Sequence, residues 1–449
     1  MFKIKQIIKK NKYVYKFLRS IYHFFSLKNF KIILSYINIL FFHDKDKNLC
    51  SSMEDGLLRI RITNLCNAKC RYCGIQLWDS DVQKQSLDTK FLYEYCKPLY
   101  EKIKILLLTG GDPLFAKGSY EYASFISKNY PKVTMILETN GILFDEKWQD
   151  LAISNLISTH FSINASNEYI FQKGCWQGEK GKKAFLTVQE NLKLYINKLQ
   201  KKNLLCFAPD ISMVINKDTY QDIYNFVKMG LLAKVKLITF YFDYTENDMD
   251  GNYFKNIESR IALKELMKIE RVLAKKFCIG FRLWVPLKEL ENMQLEVEKI
   301  PIEELRKEYA ELLELAKDRD MKKEYEDRQT IRKKYGKKEF TFEEDWAPTL
   351  HQIKINSKNI CFAPFKELDI YPDAKAEVCG WVIPRINLKK EIKNNYINWD
   401  KLFNSIKMKQ IRYDMLNNNF RLCQKCCPLN SDYNPICEPH KYGYDREIE

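Results

Sequence analysis

Short apolar runs alternate with amphipathic segments over residues 54–286 of this 449-residue chain. The apolar runs have the length of strands, and the segments between them repeat apolar residues at helical spacing. This alternation predicts an α/β fold built on a parallel sheet. The predicted strands are Leu57–Ile62, Ile103–Leu108, Val133–Leu137, Thr159–Asn164, Pro209–Ile215, Leu237–Phe242 and Cys278–Val285. The predicted helices are Thr89–Tyr100, Ser119–Asn129, Asp145–Ile153, Lys183–Leu199, Tyr220–Leu232 and Ser259–Lys276.

The pattern changes after residue 286. Residues 287–350 are rich in Glu and Lys at helical spacing, as in Leu290–Lys299 and Ile302–Glu324. Opposite charges four residues apart favour exposed helices, so this segment is predicted to be a charged linker or insertion. Residues 351–440 are predicted to form a second, small domain with a β-hairpin at Leu368–Cys379 and a helix at Trp399–Leu416.

The formal net charge is +16, and residues 1–47 contribute eleven Lys or Arg against two Asp. Apolar residues at helical spacing predict a basic amphipathic arm over residues 1–50. Such an arm can lie on an anionic membrane surface, and peripheral contact through residues 1–45 is one prediction. A helical pair packed on the core, or a partner-docking arm, is the alternative. The apolar piece Ile32–Phe42 is shorter than the roughly 20 residues that a membrane-spanning helix needs.

No RNA-binding signature accompanies the positive charge, so no nucleic-acid partner is expected. The 14 cysteines follow no recognisable signal peptide. Disulfides need an oxidising compartment, so metal ligation in a reducing cytoplasm suits this cysteine content better. The predicted location is therefore the cytoplasm, with peripheral contact at the inner face of the membrane if the arm binds lipid.

Three cysteines, Cys66, Cys70 and Cys73, form a C-x3-C-x2-C array after the first predicted strand. Three thiolates on one short loop can hold three irons of a [4Fe–4S] cluster and leave the fourth iron open. A zinc knuckle without its fourth ligand, or buried thiols, is the alternative.

Two further segments each come directly after a predicted strand: Thr109-Gly110-Gly111-Asp112-Pro113 and Glu138-Thr139-Asn140-Gly141. Together with the cysteine array they resemble the motifs of the radical S-adenosylmethionine (SAM) enzymes. The first resembles that family's Gly-Gly-Glu-Pro turn, with Asp112 in place of the usual Glu. The resemblance implies a partial (β/α)6 TIM-like barrel in which the open iron chelates the amino and carboxylate groups of SAM.

Polar residues also end the fourth predicted strand and occupy the fifth. The resemblance implies that such side chains contact the SAM ribose or carboxylate, although many members have Asp where this chain has Asn164. A strand-ending turn without a ligand is the alternative. The predicted SAM-binding residues are Gly110, Gly111, Asp112, Pro113, Asn140, Ser162, Asn164 and Ser212.

A second set of cysteines, with a hairpin and a helix between them, resembles the C-terminal SPASM or shortened twitch domain. The resemblance implies one auxiliary [4Fe–4S] cluster, for which either Cys427 or Cys437 could replace one ligand. A zinc ribbon is the alternative. The predicted auxiliary ligands are Cys361, Cys379, Cys423 and Cys426.

The resemblance implies reductive cleavage of SAM to a 5′-deoxyadenosyl radical, with a flavodoxin or ferredoxin-type protein as reductant. The auxiliary cluster favours oxidation or epimerisation of a small or glycan- or lipid-linked hydroxylated substrate. A peptide- or protein-modifying maturase and a non-catalytic Fe–S or zinc-binding protein are the alternatives. Candidate proton acceptors are Asp210, Asp243 and Arg282, each near a predicted strand end.

Overall fold

The computed structural model describes residues 49–73, 75, 81, 84–175, 178–243, 257–282, 287–346, 352–355, 358–361, 363–378 and 386–416. The predicted basic arm lies outside the described residues, apart from Leu49 and Cys50. Among the helices in the described part of the chain, none has both the length and the apolar character needed to cross a bilayer.

In the described part of the chain, the centre of the fold is a ten-stranded sheet with the order β12-β11-β10-β1-β2-β3-β4-β5-β6-β7. Strands β1 to β7 are parallel neighbours in chain order, which confirms the predicted α/β partial barrel. The strands are β1 Leu57–Thr63, β2 Ile105–Gly110, β3 Thr134–Thr139, β4 Ser158–Ser162, β5 Asp210–Ile215, β6 Leu237–Phe242, β7 Cys278–Arg282, β8 Gln352–Ile355, β9 Lys358–Cys361, β10 Glu367–Ile370, β11 Lys375–Glu377, β12 Ile386–Asn387, β13 Ile392–Lys393 and β14 Tyr396–Ile397.

Helices connect the parallel strands, as predicted, and several begin at an Asp or Asn whose side chain accepts a hydrogen bond from the first turn. They are α1 Thr89–Tyr95, α2 Lys97–Tyr100, α3 Ser119–Asn129, α4 Glu146–Asn155, α5 Glu168–Gly174, α6 Gly178–Lys201, α7 Ile223–Leu232, α8 Ile257–Leu273, α9 Leu287–Glu298, α10 Ile302–Glu308, α11 Ala310–Leu315, α12 Met321–Lys334, α13 Phe342–Trp346, α14 Ala363–Lys366, α15 Leu388–Glu391, α16 Trp399–Phe403 and α17 Ile406–Leu416.

The two faces of the sheet differ in polarity. Gly230 of α7 packs on Ile211 of β5 and Ile238 of β6, so the side chains of these two residues face the helices. Because side chains alternate along a strand, Ser212 and Thr239 lie on the opposite, inner face. The inner face is the one that can surround a ligand in a partial barrel.

Residues 287–346 are mostly helical, as predicted, and most of the charged side chains in residues 301–339 are exposed; the same segment also buries apolar residues. Leu305, Tyr309 and Leu312 are almost completely buried because they share one face of consecutive helices α10 and α11. After α12, Phe340 joins a buried cluster with Leu57 at the start of β1. Trp346 and Met321 pack likewise with Leu237 and Cys278, at the starts of β6 and β7. The segment therefore closes the amino end of the barrel.

The C-terminal hairpin extends the sheet on the β1 side. β10 is parallel to β1, and β11 returns antiparallel to β10 through a turn at Ala374. This confirms the hairpin predicted within Leu368–Cys379. Ala374 has a φ of 60°, a conformation that favours glycine.

Residues 49–52 and 398–416 belong to a separate compact unit. The helix predicted over Trp399–Leu416 is divided into α16 and α17. Between them, Asn404 donates to the Asp400 carbonyl and bonds both the amide and the carbonyl of Ser51, at 2.9 and 3.1 Å. Within the same unit, buried Arg412 donates to the carbonyls of Leu49 and Phe403.

Candidate active site

The carboxyl ends of β1, β2 and β3 meet at the loop that contains the cysteine array. The amide of Gly111 donates to the Thr63 carbonyl at 2.6 Å, and the amide of Asp112 donates to the Leu65 carbonyl at 2.9 Å. These bonds fix the Gly-Gly turn against the start of the cysteine loop. Two motifs that are about forty residues apart in sequence are thereby in direct contact.

Two glycines make this approach possible. Gly110 has a φ of +142°, and a Cβ there would lie 2.2 Å from the Thr63 carbonyl oxygen. A Cβ on Gly111 would lie 2.3 Å from the carbonyl oxygen of Leu65. Both obstacles are backbone atoms, which cannot rotate away as a side chain can. The close approach of the turn and the cysteine loop therefore requires glycine.

We expect Gly111→Ala to lower iron affinity by about 10-fold or more, because the new methyl group pushes Leu65 and the adjacent Cys66 out of position. Iron and sulfide analysis after anaerobic reconstitution measures the effect. Gly280→Ala is the matched control, since a Cβ there would meet its nearest neighbour at 3.6 Å, an ordinary contact. Equal iron content in the two variants would contradict the expectation.

Asp112 connects the Gly-Gly turn to the end of β3. Its completely buried carboxylate accepts hydrogen bonds from Thr139 Oγ1 at 2.9 Å and from the amides of Asn140 and Leu114 at 2.8 and 2.9 Å. Burial raises the pKa of Asp112 to about 6, although these three donors favour the charged form. The Asp112 side chain is therefore bonded within the protein.

Asn140 follows β3 and lies against the cysteine loop. Its Nδ2 donates to Asn67 Oδ1 at 2.6 Å and lies 3.7 Å from Cys66 Sγ, while Oδ1 accepts from the Ile142 amide. The Ala68 amide also donates to Cys66 Sγ at 3.4 Å. Cys66 therefore has two N–H donors directed at its sulfur.

None of the three loop cysteines is in a disulfide, and their surroundings differ. Burial raises the pKa of Cys66 to about 12. A hydrogen bond with Cys175 and burial raise the pKa of Cys70. Cys175 in turn lies 2.8 Å from the Tyr72 hydroxyl. Metal binding to these thiols must displace protons, because thiolates are the ligands.

Cys175 is a residue of the site that the sequence analysis assigned no role. It follows α5, 103 residues after Tyr72, and no short spacing connects it to the array. The amides of Lys69 and Arg71 donate to the carbonyls of Cys175 and Gly174, so the end of α5 supports the loop on both sides of Cys70.

The donor set suits a cluster with an open iron. Three thiols lie on one loop, and N–H groups point at Cys66 Sγ, as hydrogen bonds do at cluster sulfurs. In the described part of the chain, no three His, Cys, Asp or Glu side chains converge as ligands of a single metal ion. Thiolates that each hold a different iron of one cluster need not converge on one point.

The predicted residues of β4 and β5 lie close together on the inner face. Ser212 Oγ is 2.9 Å from His160 Nε2 and 3.5 Å from Ser162 Oγ. The Asn164 amide accepts from the Val214 amide at 2.9 Å and donates to the Ser162 carbonyl at 3.1 Å. Asn164 therefore joins β4 to β5 with both atoms of its side-chain amide.

Charged residues on the inner face of β1 were missed by the sequence analysis. Asp369 of β10, completely buried, bonds Arg59 at 2.7 and 2.9 Å and Arg61 at 3.3 Å. The Arg61 guanidinium lies 5.0 Å above the ring of Tyr371, whose hydroxyl bonds Glu377. The alternation of Arg59 and Arg61 within an otherwise apolar strand was the available signal, because alternate residues share one face.

The candidate proton acceptors are not equivalent. Asp210 begins β5, at the amino end of the sheet, and pairs with Lys236 at 3.2 Å. It is therefore at the wrong end of the strand to act at the carboxyl edge. Asp243 follows β6 and is buried, whereas Arg282 ends β7 and its side chain is outside the description.

The auxiliary cysteines are largely outside the described residues. The backbone of Cys361 ends β9, and Cys379, Cys423 and Cys426 lie in undescribed segments. Elsewhere, an open groove of about 1010 Å³ runs between α6 and α7 and contains none of the predicted site residues.

Comparison with known proteins agrees with the motifs. The model of the Radical SAM superfamily matches residues 60–230. A GTP 3′,8-cyclase of Campylobacter lari is 26% identical over 221 residues, which are 47% of this chain and 64% of that protein. The FeMo cofactor biosynthesis protein NifB of Methanocaldococcus infernus is 25% identical over 128 residues, 26% of this chain and 42% of that protein. Each match spans less than two thirds of the relative's length.

A solved structure shares the fold over most of the chain. The crystal structure of Streptococcus suis SuiB bound to S-adenosylmethionine has a TM-score of 0.50 at 12% identity. The match covers 84% of this chain and 74% of that one. At this identity the similarity concerns the fold alone.

Proposed function

Because residues 60–230 form a radical SAM domain, we propose that this enzyme uses SAM to abstract hydrogen from a hydroxylated substrate held on the inner face of the barrel. The proposed cluster ligands are Cys66, Cys70 and Cys73. When bound, the [4Fe–4S] cluster supplies one electron, which cleaves SAM to methionine and a 5′-deoxyadenosyl radical.

The observation that carries the proposal is the contact of three motifs at one edge of the sheet. The cysteine loop, the Gly-Gly turn and Asn140 are joined by direct hydrogen bonds at the carboxyl ends of β1, β2 and β3. A protein that used the cysteines only as a structural metal site would not require this turn, with its buried Asp112, beside them. The contacts therefore favour an enzyme over a non-catalytic binding protein.

The chain's own residues would orient the ligands. Since the Asp112 side chain is directed to β3, we assign the ligand contacts of the turn Gly110–Pro113 to its backbone. Ser162 and Ser212 place hydroxyl groups on neighbouring strands of the inner face. We assign these groups to SAM, in keeping with the motifs.

The charged and polar side chains of the inner face also favour one class of substrate. On this face the partly exposed Arg61 presents a cation, held in place by the buried Asp369 and lying over the buried ring of Tyr371, which bonds Glu377. Such a surface suits a polar molecule with several hydroxyl groups better than an apolar one. By their names, the GTP 3′,8-cyclases act on a nucleotide, which supports a small hydroxylated substrate.

The type of reaction is a finer proposal. Oxidation or epimerisation of a small or glycan- or lipid-linked substrate would use an auxiliary cluster at Cys361, Cys379, Cys423 and Cys426 as electron acceptor. A peptide-modifying maturase is the alternative, and peptide substrates would then replace the hydroxylated ones in the assay below.

Anaerobic reconstitution, followed by dithionite and SAM, tests the function. We expect 5′-deoxyadenosine together with about eight irons per chain if both clusters form, or about four if only the first does. About four irons per chain together with bound zinc would be compatible with SAM cleavage, but the chain would then lack the auxiliary electron acceptor. The proposed reaction would then be redox-neutral. Absence of 5′-deoxyadenosine from protein with a full complement of iron would overturn the proposed function.

A further inference from the structure

We propose that the exposed basic surface outside the cysteine loop docks a small acidic one-electron carrier protein. This basic surface is defined by Lys69, Arg71, Lys173 and Lys217, all exposed. The inference rests on the proposed function, because a cluster that cleaves SAM needs an external source of single electrons. What it adds is the place where that electron donor binds.

Backbone contacts bring the basic residues together. The Arg71 amide donates to the Gly174 carbonyl at 3.0 Å, and the Lys69 amide donates to the Cys175 carbonyl at 3.3 Å. Lys69 and Arg71 therefore flank the end of α5. Lys173 is close to them because it directly precedes Gly174, the last residue of α5. The Lys173 ammonium lies 4.3 Å above the ring of Tyr169, which is itself 65% exposed.

Lys217 belongs to the same surface because its neighbour Asp218 pairs with Arg71. Asp218 is also within electrostatic reach of Lys173. Among the described residues of this surface, the side chains of Lys69, Lys173 and Lys217 are exposed to solvent beside the Arg71–Asp218 pair. Even with its partner in place, the Arg71 side chain is 52% exposed.

A concentrated positive surface of this kind attracts an acidic protein and raises the rate of encounter at low ionic strength. The exposed Tyr169 adds an aromatic contact of the type enriched in protein interfaces. The chemistry of the surface therefore fits an acidic partner protein.

The position of the surface is what connects it to electron transfer. Cys70 lies between Lys69 and Arg71, and its thiol is turned inward to Cys175. A protein bound over Lys69 and Arg71 would be separated from the Cys70 sulfur by the loop alone. Electron tunnelling slows steeply with distance, and a donor bound over Lys69 and Arg71 would lie close to a cluster held by Cys70.

The test is the charge-reversal variant Lys173→Glu/Lys217→Glu, which leaves the cysteine loop unaltered. Reconstituted protein is mixed in a stopped-flow instrument with a fully reduced bacterial flavodoxin, at low and high ionic strength. Photoreduced 5-deazariboflavin, a small neutral reductant, is used in parallel. Lys128→Glu/Lys132→Glu changes the same number of exposed charges near the carboxyl end of α3 and is the matched control.

We expect flavodoxin to reduce the cluster about tenfold more slowly in the variant at low ionic strength, with a weaker salt dependence. The rate with deazariboflavin should be unchanged, and the control should match the wild type with both reductants. An unchanged flavodoxin rate, or an equal loss in the control, would overturn the docking surface alone. Failure of the wild-type protein to accept electrons from either reductant would instead overturn the proposed function, and the docking surface with it.

Discussion

Replacing Cys70 by alanine is expected to abolish 5′-deoxyadenosine formation and to lower the iron content by about four atoms per chain. Two remaining thiolates, Cys66 and Cys73, cannot hold a cluster with a single open iron. The loop sequence contains no fourth cysteine that could replace Cys70. Iron analysis, the visible absorption of the cluster and the product assay measure the effect together.

Cys175→Ala is the informative control for this experiment, since Cys175 contacts Cys70 but lies outside the array. We expect it to retain the cluster and SAM cleavage. Cys96→Ala, at a buried cysteine beside Tyr100, controls for the loss of any thiol. If Cys175→Ala lost the cluster while Cys70→Ala kept it, the assignment of Cys70 as a ligand would be wrong.

Replacing Asp345 by alanine is expected to lower the free energy of unfolding by about 3–5 kcal/mol. Asp345 accepts hydrogen bonds from Arg328 and Arg332, and all three side chains are buried. Burial raises the pKa of Asp345, but the two guanidinium charges outweigh it and the pKa is lowered. Without the carboxylate, buried Arg332 would lose its carboxylate partner, and buried Arg328 would keep the longer contact with Glu324, at 3.8 Å.

Urea denaturation of the two proteins under identical conditions measures this loss. A protein domain is stable by about 5–15 kcal/mol, so the variant should unfold at a much lower denaturant concentration. The control is Glu339→Ala, which removes an exposed partner of Lys333 at 3.1 Å and should cost about 1 kcal/mol or less. Equal midpoints for the two variants would contradict the importance of the buried network.

The parallel sheet could be predicted because each strand is a short apolar run followed by a turn and a helix. The cysteine loop and the Gly-Gly turn could be predicted as one site because parallel strands place their carboxyl ends together. Both predictions, the parallel sheet and the combined site, follow from local spacing in the sequence. Asn140 was predicted from the family resemblance to bind SAM, which stays a prediction; in the structure its side-chain amide lies 3.7 Å from Cys66 Sγ.

Other features depend on contacts that no local pattern records. Cys175 reaches the loop only through the fold of α5. The sequence analysis did not predict that Arg328 and Arg332 are buried, because charged residues are normally exposed to solvent. Their partner Asp345 is also separated from them by a loop. The alternation of Arg59 and Arg61 was visible in the sequence, but their partner Asp369 is 310 residues away from Arg59, so only the fold shows what they pair with.

That separation has a consequence for synthesis of the chain. At about 5–20 residues per second, a ribosome needs roughly 15 to 60 s to add the residues between Arg59 and Asp369. During this time β1 has no neighbour on the β10 side, and the Asp369 carboxylate that pairs with Arg59 and Arg61 does not yet exist. The strand that leads into the cysteine loop therefore reaches its final environment only when most of the chain has been made. Iron delivered to the nascent protein would meet a loop whose supporting strand is still an unpaired edge.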